Sequence, residues 1–240
     1  MAKYNQNSQN VAIFHGFPAL NEGSSLAGYS ALISAHDLKV PVPDHLCAIG
    51  TKHKKYDDGR WHIFTPRHKP RDTLYGHLVF ALKYEGVDLA VLNALFQKIK
   101  HEEIQEIIIS KPTGRYTRRL WFLWEWLRDE ELDVEDATMG NFVPLIDCKL
   151  QYEGKSYPSR RHRVHNNLPG TRNFSPLIRK TEKLEKFIGR KLSETAERNI
   201  GQTHPDLLSR ASAFLLLQDS KCVFRRSRTV IPEEAGRRSG

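Results

Sequence analysis

The chain has 240 residues, 39% of them hydrophobic and 27% charged, a length and balance that exclude bulk disorder and support a core without disulfide or metal staples. The apolar runs, LWFLW and FLLL among them, are too short to span a bilayer, and the polar opening MAKYNQNSQN lacks a signal peptide's apolar centre, so no membrane partner and a cytoplasmic location are expected. Three widely spaced cysteines, Cys47, Cys148 and Cys222, fit a reducing compartment. The formal charge is +9, and between Glu153 and Glu182 no acidic residue occurs while Lys155, Arg160, Arg161, Arg163, Arg172, Arg179 and Lys180 do. Such a cluster attracts phosphates or acidic surfaces, or it is simply a solvated or internally paired loop.

In chain order, the first twenty residues read as an ordered arm or loop. Ser24 or Ser25 is expected to cap a first helix to His36, which Pro41 and Pro43 close off. Asp58-Gly59 between Tyr56 and the alternating Trp61 and Ile63 predicts a small hairpin. From Asp72 the period is helical: Leu74, Leu78, Ala81 and Leu82 share a face, Gly86 ends that helix, and Asp88 caps the next, with Leu89, Leu92, Leu95, Phe96 and Ile99. The short link predicts antiparallel neighbours. A helix over 102–110 follows. TGRYTRRLWFLWEWL then predicts a helix with Leu120, Leu123, Trp124 and Leu127 inward and Arg115, Arg118 and Arg119 on its other face.

The acidic stretch RDEELDVEDATMGN reads as a linker or exposed turn, NFVPLIDCKLQYEG as a second extended pair, and the basic segment from Ser156 to Arg179 as a long ordered loop. Thr181 is expected to cap a helix bearing Leu184, Phe187, Ile188 and Leu192 on one face. The most apolar stretch, His204–Phe224, predicts a helix buried on most sides and hence the centre of the fold. The expected class is mainly α (α+β), a helical domain with one or two small β-hairpins.

Chemical motifs are few. Gly154-Lys155-Ser156 ends like a phosphate-binding loop, but Lys149 stands where the upstream glycine is required. Cys47, His53, His62 and His68 are the nearest metal grouping, without a zinc clip or a helical His pair. Cys148 and Cys222 lack any nucleophile signature and read as buried thiols. The tryptophans of LWFLWEWL read as core rather than as a base-stacking platform. The best binding candidates are Arg160, Arg161, Arg163, Asn166 and Asn167, because Arg and Asn present forked donors to phosphates and base edges.

Three long strings are specific. Asn141-Phe-Val-Pro-Leu-Ile-Asp147, Arg161-His-Arg-Val-His-Asn-Asn-Leu-Pro-Gly-Thr171 and Ala213-Phe-Leu-Leu-Leu-Gln-Asp-Ser-Lys221 closely resemble the amino-terminal region of a bacterial subgroup of Fic family proteins. The opening GFPALNEGSSLAGYSALI, Phe64-Thr65-Pro66-Arg67-His68 and LWFLWEWL agree, so the resemblance covers residues 1 to about 222. It implies a relative of enzymes that transfer AMP from ATP, with Mg, to protein hydroxyls. Their catalytic segment, His-Pro-Phe-x-Asp/Glu-Gly-Asn-Gly-Arg, has no counterpart here: the one His-Pro, His204-Pro205, is followed by Asp206-Leu207. No catalytic, cofactor or metal residue is therefore assigned.

In the family the terminal helix leads into an inhibitory Ser-Phe-x-Ile-Glu-Gly element, whereas Val223-Phe224-Arg225-Arg226-Ser227-Arg228 stands here. The arginine-rich tail, 225–240, is what a shifted reading frame and an early stop would leave. The resulting division is an amino-terminal domain over 1–200, a helix toward the Fic core over 201–224, and the divergent tail. The expected function is that of an amino-terminal Fic-family fragment, inactive alone, with a protein target or the missing carboxy-terminal Fic core as partner. The tail offers little apolar cover, so self-association through the Leu207–Phe224 helix is a further expectation. The rival reading is a basic nucleic-acid-binding or protein-docking module.

Overall fold

The computed structural model describes Tyr4, Phe14 and residues 16–202, with 194–202 as backbone. The elements are β1 (Ser25–Ala27), α1 (Tyr29–Ala35), β2 (Leu46–Ile49), β3 (Tyr56–Asp58), β4 (Trp61–Phe64), α2 (Leu74–Tyr84), α3 (Leu89–Lys98), α4 (His101–Ser110), α5 (Arg115–Arg128), β5 (Val143–Pro144), β6 (Tyr157–Ser159), β7 (Val164–Asn166) and α6 (Glu182–Gln202). The described chain is mainly α with small sheets, an α+β fold. It divides into a compact unit, Met1–Lys180, and a second, Thr181–Gly240. The expected boundaries at 200 and 224 both fall within the second unit, and the Leu207–Phe224 helix and the tail lie outside the described residues.

The hairpin forms as the Asp-Gly signal predicts: β3 and β4 pair antiparallel, and Gly59 takes the left-handed turn at φ 60°. It extends into a four-stranded sheet of order β1-β2-β4-β3, in which β2 runs parallel to β4 and antiparallel to β1. All four residues of β2 are buried, as in a central strand covered on both faces. Leu46, Ala48, Trp61 and Ile63 face the main core, whereas Cys47, Ile49 and Phe64 join Phe80 in a smaller cluster on the other side.

Ser24 and Ser25 do not cap a helix. Pairing with β2 draws Ser25–Ala27 into a strand, and α1 starts only after Gly28. The Ser30 hydroxyl, inside α1, donates to the Cys47 carbonyl at 2.6 Å and ties the helix to the sheet. α1 is buried from Tyr29 to Ile33.

The caps of the next two helices are side-chain oxygens. Thr73 accepts from the Gly76 amide at 3.0 Å, and Asp88 from the Val91 amide at 3.0 Å. Gly86, at φ 89°, ends the first of them in a conformation that favours glycine, and Gln151 occupies the space a Cβ would need. α2 and α3 pack chiefly on α1 and α5 rather than as a simple antiparallel pair.

α5 is the central strut. Thr117 to Trp124 are all buried, including Arg118 and Arg119, because a three-stranded sheet of order β5-β7-β6 covers the face that the arginines would otherwise present to solvent. This sheet replaces two expectations. The NFVPLID string contributes only the two-residue strand β5, parallel to β7, and the basic segment contains the antiparallel β6–β7 pair. Considered alone, α6 begins as expected, with the Thr181 hydroxyl accepting from the Leu184 amide at 3.2 Å; Phe187 and Leu192 are exposed.

Candidate protein-docking site

The helix α5 and the three-stranded sheet join through buried arginines. Arg118 donates to the Asn141 carbonyl at 2.8 Å, and Arg119 to the Pro144 carbonyl at 2.6 Å. The strings around 121–127, 141–147 and 161–171 are therefore one substructure, separated in sequence and adjacent in space.

At its centre is Glu125, one turn beyond Trp121 on α5. Its carboxylate accepts from the Trp121 indole at 2.7 Å, the Leu132 amide at 3.0 Å, the Arg161 guanidinium at 3.0 Å and His162 Nε2 at 2.8 Å. Burial opposes ionisation of Glu125, but the bonds from His162, Arg161, Trp121 and Leu132 outweigh it and hold the group down at about 2. Ser159, three residues before His162, hydrogen-bonds its Nδ1 at 2.8 Å. Ser159, His162 and Glu125 resemble a nucleophile, base and orienter in residue type alone. The carboxylate is consumed by four donors, which makes this a structural node rather than a catalytic one.

Of the five expected partner-binding residues, four are engaged inside the fold. Arg161 donates to Glu125, to Asp136 at 2.8 Å, and to the carbonyls of Leu132 and Val134 at 2.7 and 3.2 Å. Arg163, at φ 50°, donates to the Gly140 and Thr138 carbonyls and lies over the Phe142 ring. Asn167 is buried and replaces a strand neighbour, accepting from the Ile146 amide at 2.8 Å and donating to its carbonyl at 3.1 Å. Asn166 accepts from the Leu168 amide two residues on, at 3.1 Å. Arg160 alone is exposed, with no side-chain bond among the described residues. Trp121 and Trp124 are core, Cys148 is exposed, and Cys222 lies outside the described residues. No group of three or more His, Cys, Asp or Glu among the described residues could hold a metal.

What sequence reasoning missed is the surface that Arg161 shapes. Its bonds to Leu132, Val134 and Asp136 fold the acidic stretch back against α5. Between this stretch and the end of α4 lies a groove of about 420 Å³. Trp121, Val134 and Ala137 line it, Ile109, Pro112 and Met139 edge it, and Asp133, Glu135 and Asp136 ring it. Ile109 and Met139 are 59% and 67% exposed. Asp136 is paired with Arg161, whereas Asp133 and Glu135 make no ion pair among the described residues. The signal in sequence was the set of apolar residues, Leu132, Val134, Ala137 and Met139, inside an acidic run.

Among the described residues no helix is long and apolar enough to cross a membrane. Compared with protein-family models, curated proteins and solved structures, the chain gives no match.

Proposed function

We propose that Met1–Lys180 is a protein-docking domain of a Fic-family protein, working in the cytoplasm, that holds a partner and takes no chemical part in AMP transfer. The family rests on the resemblance of the strings over 141–147, 161–171 and 213–221, with which LWFLWEWL over 120–127 agrees. The docking role rests on the groove: an apolar channel with an acidic rim, on a chain whose net charge is +9. Its complement is a basic segment with one or two apolar anchors, the anchors seated between Ile109 and Met139 and the cations against Asp133 and Glu135. Nucleic-acid binding is the weaker reading, since the arginines best suited to it are bonded to carbonyls and carboxylates of the chain itself.

Selection of peptides from a random library on the full chain tests this. Enriched sequences should carry Lys or Arg beside Leu, Ile, Met or Phe. Asp133→Lys with Glu135→Lys, or Ile109→Glu, should abolish their binding, and salt should weaken it. Enrichment of acidic or uncharged peptides, or binding that survives both variants, would overturn the proposal.

A further inference from the structure

A second cavity, independent of the groove, lies on the far side of the four-stranded sheet from the main core. Strand register builds its floor: Cys47 is opposite His62 across β2 and β4, and His62 is opposite Asp57 across β4 and β3. The three side chains thus form a row on one face. His62 Nδ1 pairs with the Asp57 carboxylate, so the row's one exposed acid is already engaged. Phe64 and Tyr84 wall the cavity, which holds about 290 Å³.

Two cations line it. Lys55 lies over the Phe64 ring at 4.5 Å from the centroid and over Tyr84 at 5.3 Å, which holds the ammonium at the mouth with its N–H donors unused by any carboxylate among the described residues. Arg179 is brought in by its bridge to Gln151 and donates to the Tyr84 carbonyl at 3.3 Å. It too makes no ion pair among the described residues, so most of its fork remains available. Behind Cys47 lies Glu85, which burial pushes up to about 8 and whose carboxyl oxygens accept from the Tyr29 amide. Burial, then the nearness of Glu85, raises the Cys47 thiol well above its ordinary range, which removes it as a nucleophile.

We propose that this pocket binds a small phosphomonoester, its oxyanion between Lys55 and Arg179 and its body against Phe64 and Tyr84. Two cations without an ion-pair partner among the described residues match a phosphoryl dianion, where a carboxylate would satisfy only one charge. The volume is at the lower end for ligand pockets, which excludes dinucleotides.

Titration of phenyl phosphate into the full chain, followed calorimetrically beside benzoate and inorganic phosphate, tests the assignment. Phenyl phosphate should bind most tightly, benzoate more weakly, and inorganic phosphate measurably without a ring. A phosphoserine peptide separates a free small ligand from a phosphorylated protein, and it should bind no better than inorganic phosphate. Lys55→Gln and Arg179→Gln should each weaken phenyl phosphate by about tenfold or more, and Arg179→Lys should weaken it less than Arg179→Gln. Lys55 is exposed, so Lys55→Gln leaves the fold intact. Absence of phenyl phosphate binding, equal binding of benzoate, tighter binding of the peptide, or unchanged affinity in Lys55→Gln would overturn it.

Discussion

Glu125 and His162 meet across 2.8 Å between α5 and the turn that joins β6 to β7, and that contact closes a network holding the helix, the acidic stretch and the second sheet together. Removing the carboxylate would deprive the Trp121 indole, the Leu132 amide and His162 Nε2 of their acceptor and leave Arg161 with Asp136 as its one carboxylate partner among the described residues. Glu125→Ala should therefore cost about 3–5 kcal/mol, and Glu125→Gln less, because the amide still offers one acceptor. Urea denaturation of the two variants against the parent chain measures the order. Equal stability of Glu125→Ala and the parent would contradict the network.

The acid limb of stability follows from the same residue. Glu125 is held at about 2 in the fold, below its ordinary 4.5. Its contribution is present above the ordinary carboxylate range and is lost as pH falls through about 2. Unfolding followed from pH 5 to pH 2 should show a shallower loss in Glu125→Gln than in the parent chain.

Glu85 acts in the opposite sense. Burial raises it from 4.5 to about 8, so folding favours the protonated form. Its contribution is fully present below 4.5 and is lost as pH rises through about 8. Glu85→Gln keeps an acceptor for the Tyr29 amide without the ionisable group. The variant should be more stable than the parent at pH 9, with the advantage shrinking toward pH 5. A gap independent of pH would mean that Glu85 is not the titrating group.

The basic segment splits into exposed and internal arginines. Arg160→Glu should leave thermal stability within about 0.5 kcal/mol of the parent, whereas Arg161→Glu sets a carboxylate against Glu125 and Asp136 and should unfold the region or lower the midpoint strongly. If the segment nevertheless docks phosphates, Arg160→Glu will reduce the salt slope of duplex binding by about one unit. An unchanged slope together with a stable Arg161→Glu chain would remove both roles.

Incubation of the full chain with labelled ATP and Mg should leave it, and any added protein, unlabelled. The sequence has no His-Pro-Phe segment, and the only His-Pro is followed by Asp206-Leu207. Covalent labelling that survives denaturation would contradict this.

Local chemistry determined the helices and the hairpin. Apolar periodicity with the Asp88 cap and Gly86 stop marked α2 and α3, and Asp58-Gly59 marked the turn, because each signal acts within a few residues. Strand pairing was settled only in three dimensions. β2 is four apolar residues that could equally belong to a helix, and only pairing with β4 on one side and β1 on the other makes them a strand. Likewise Ser25–Ala27 and the β6–β7 pair follow from partners that no local pattern names. The role of the arginines was also tertiary. A guanidinium satisfies phosphates, carboxylates and carbonyls alike, so the sequence determined that Arg161 and Arg163 would bind oxygen atoms, and the fold decided that those oxygens are the chain's own.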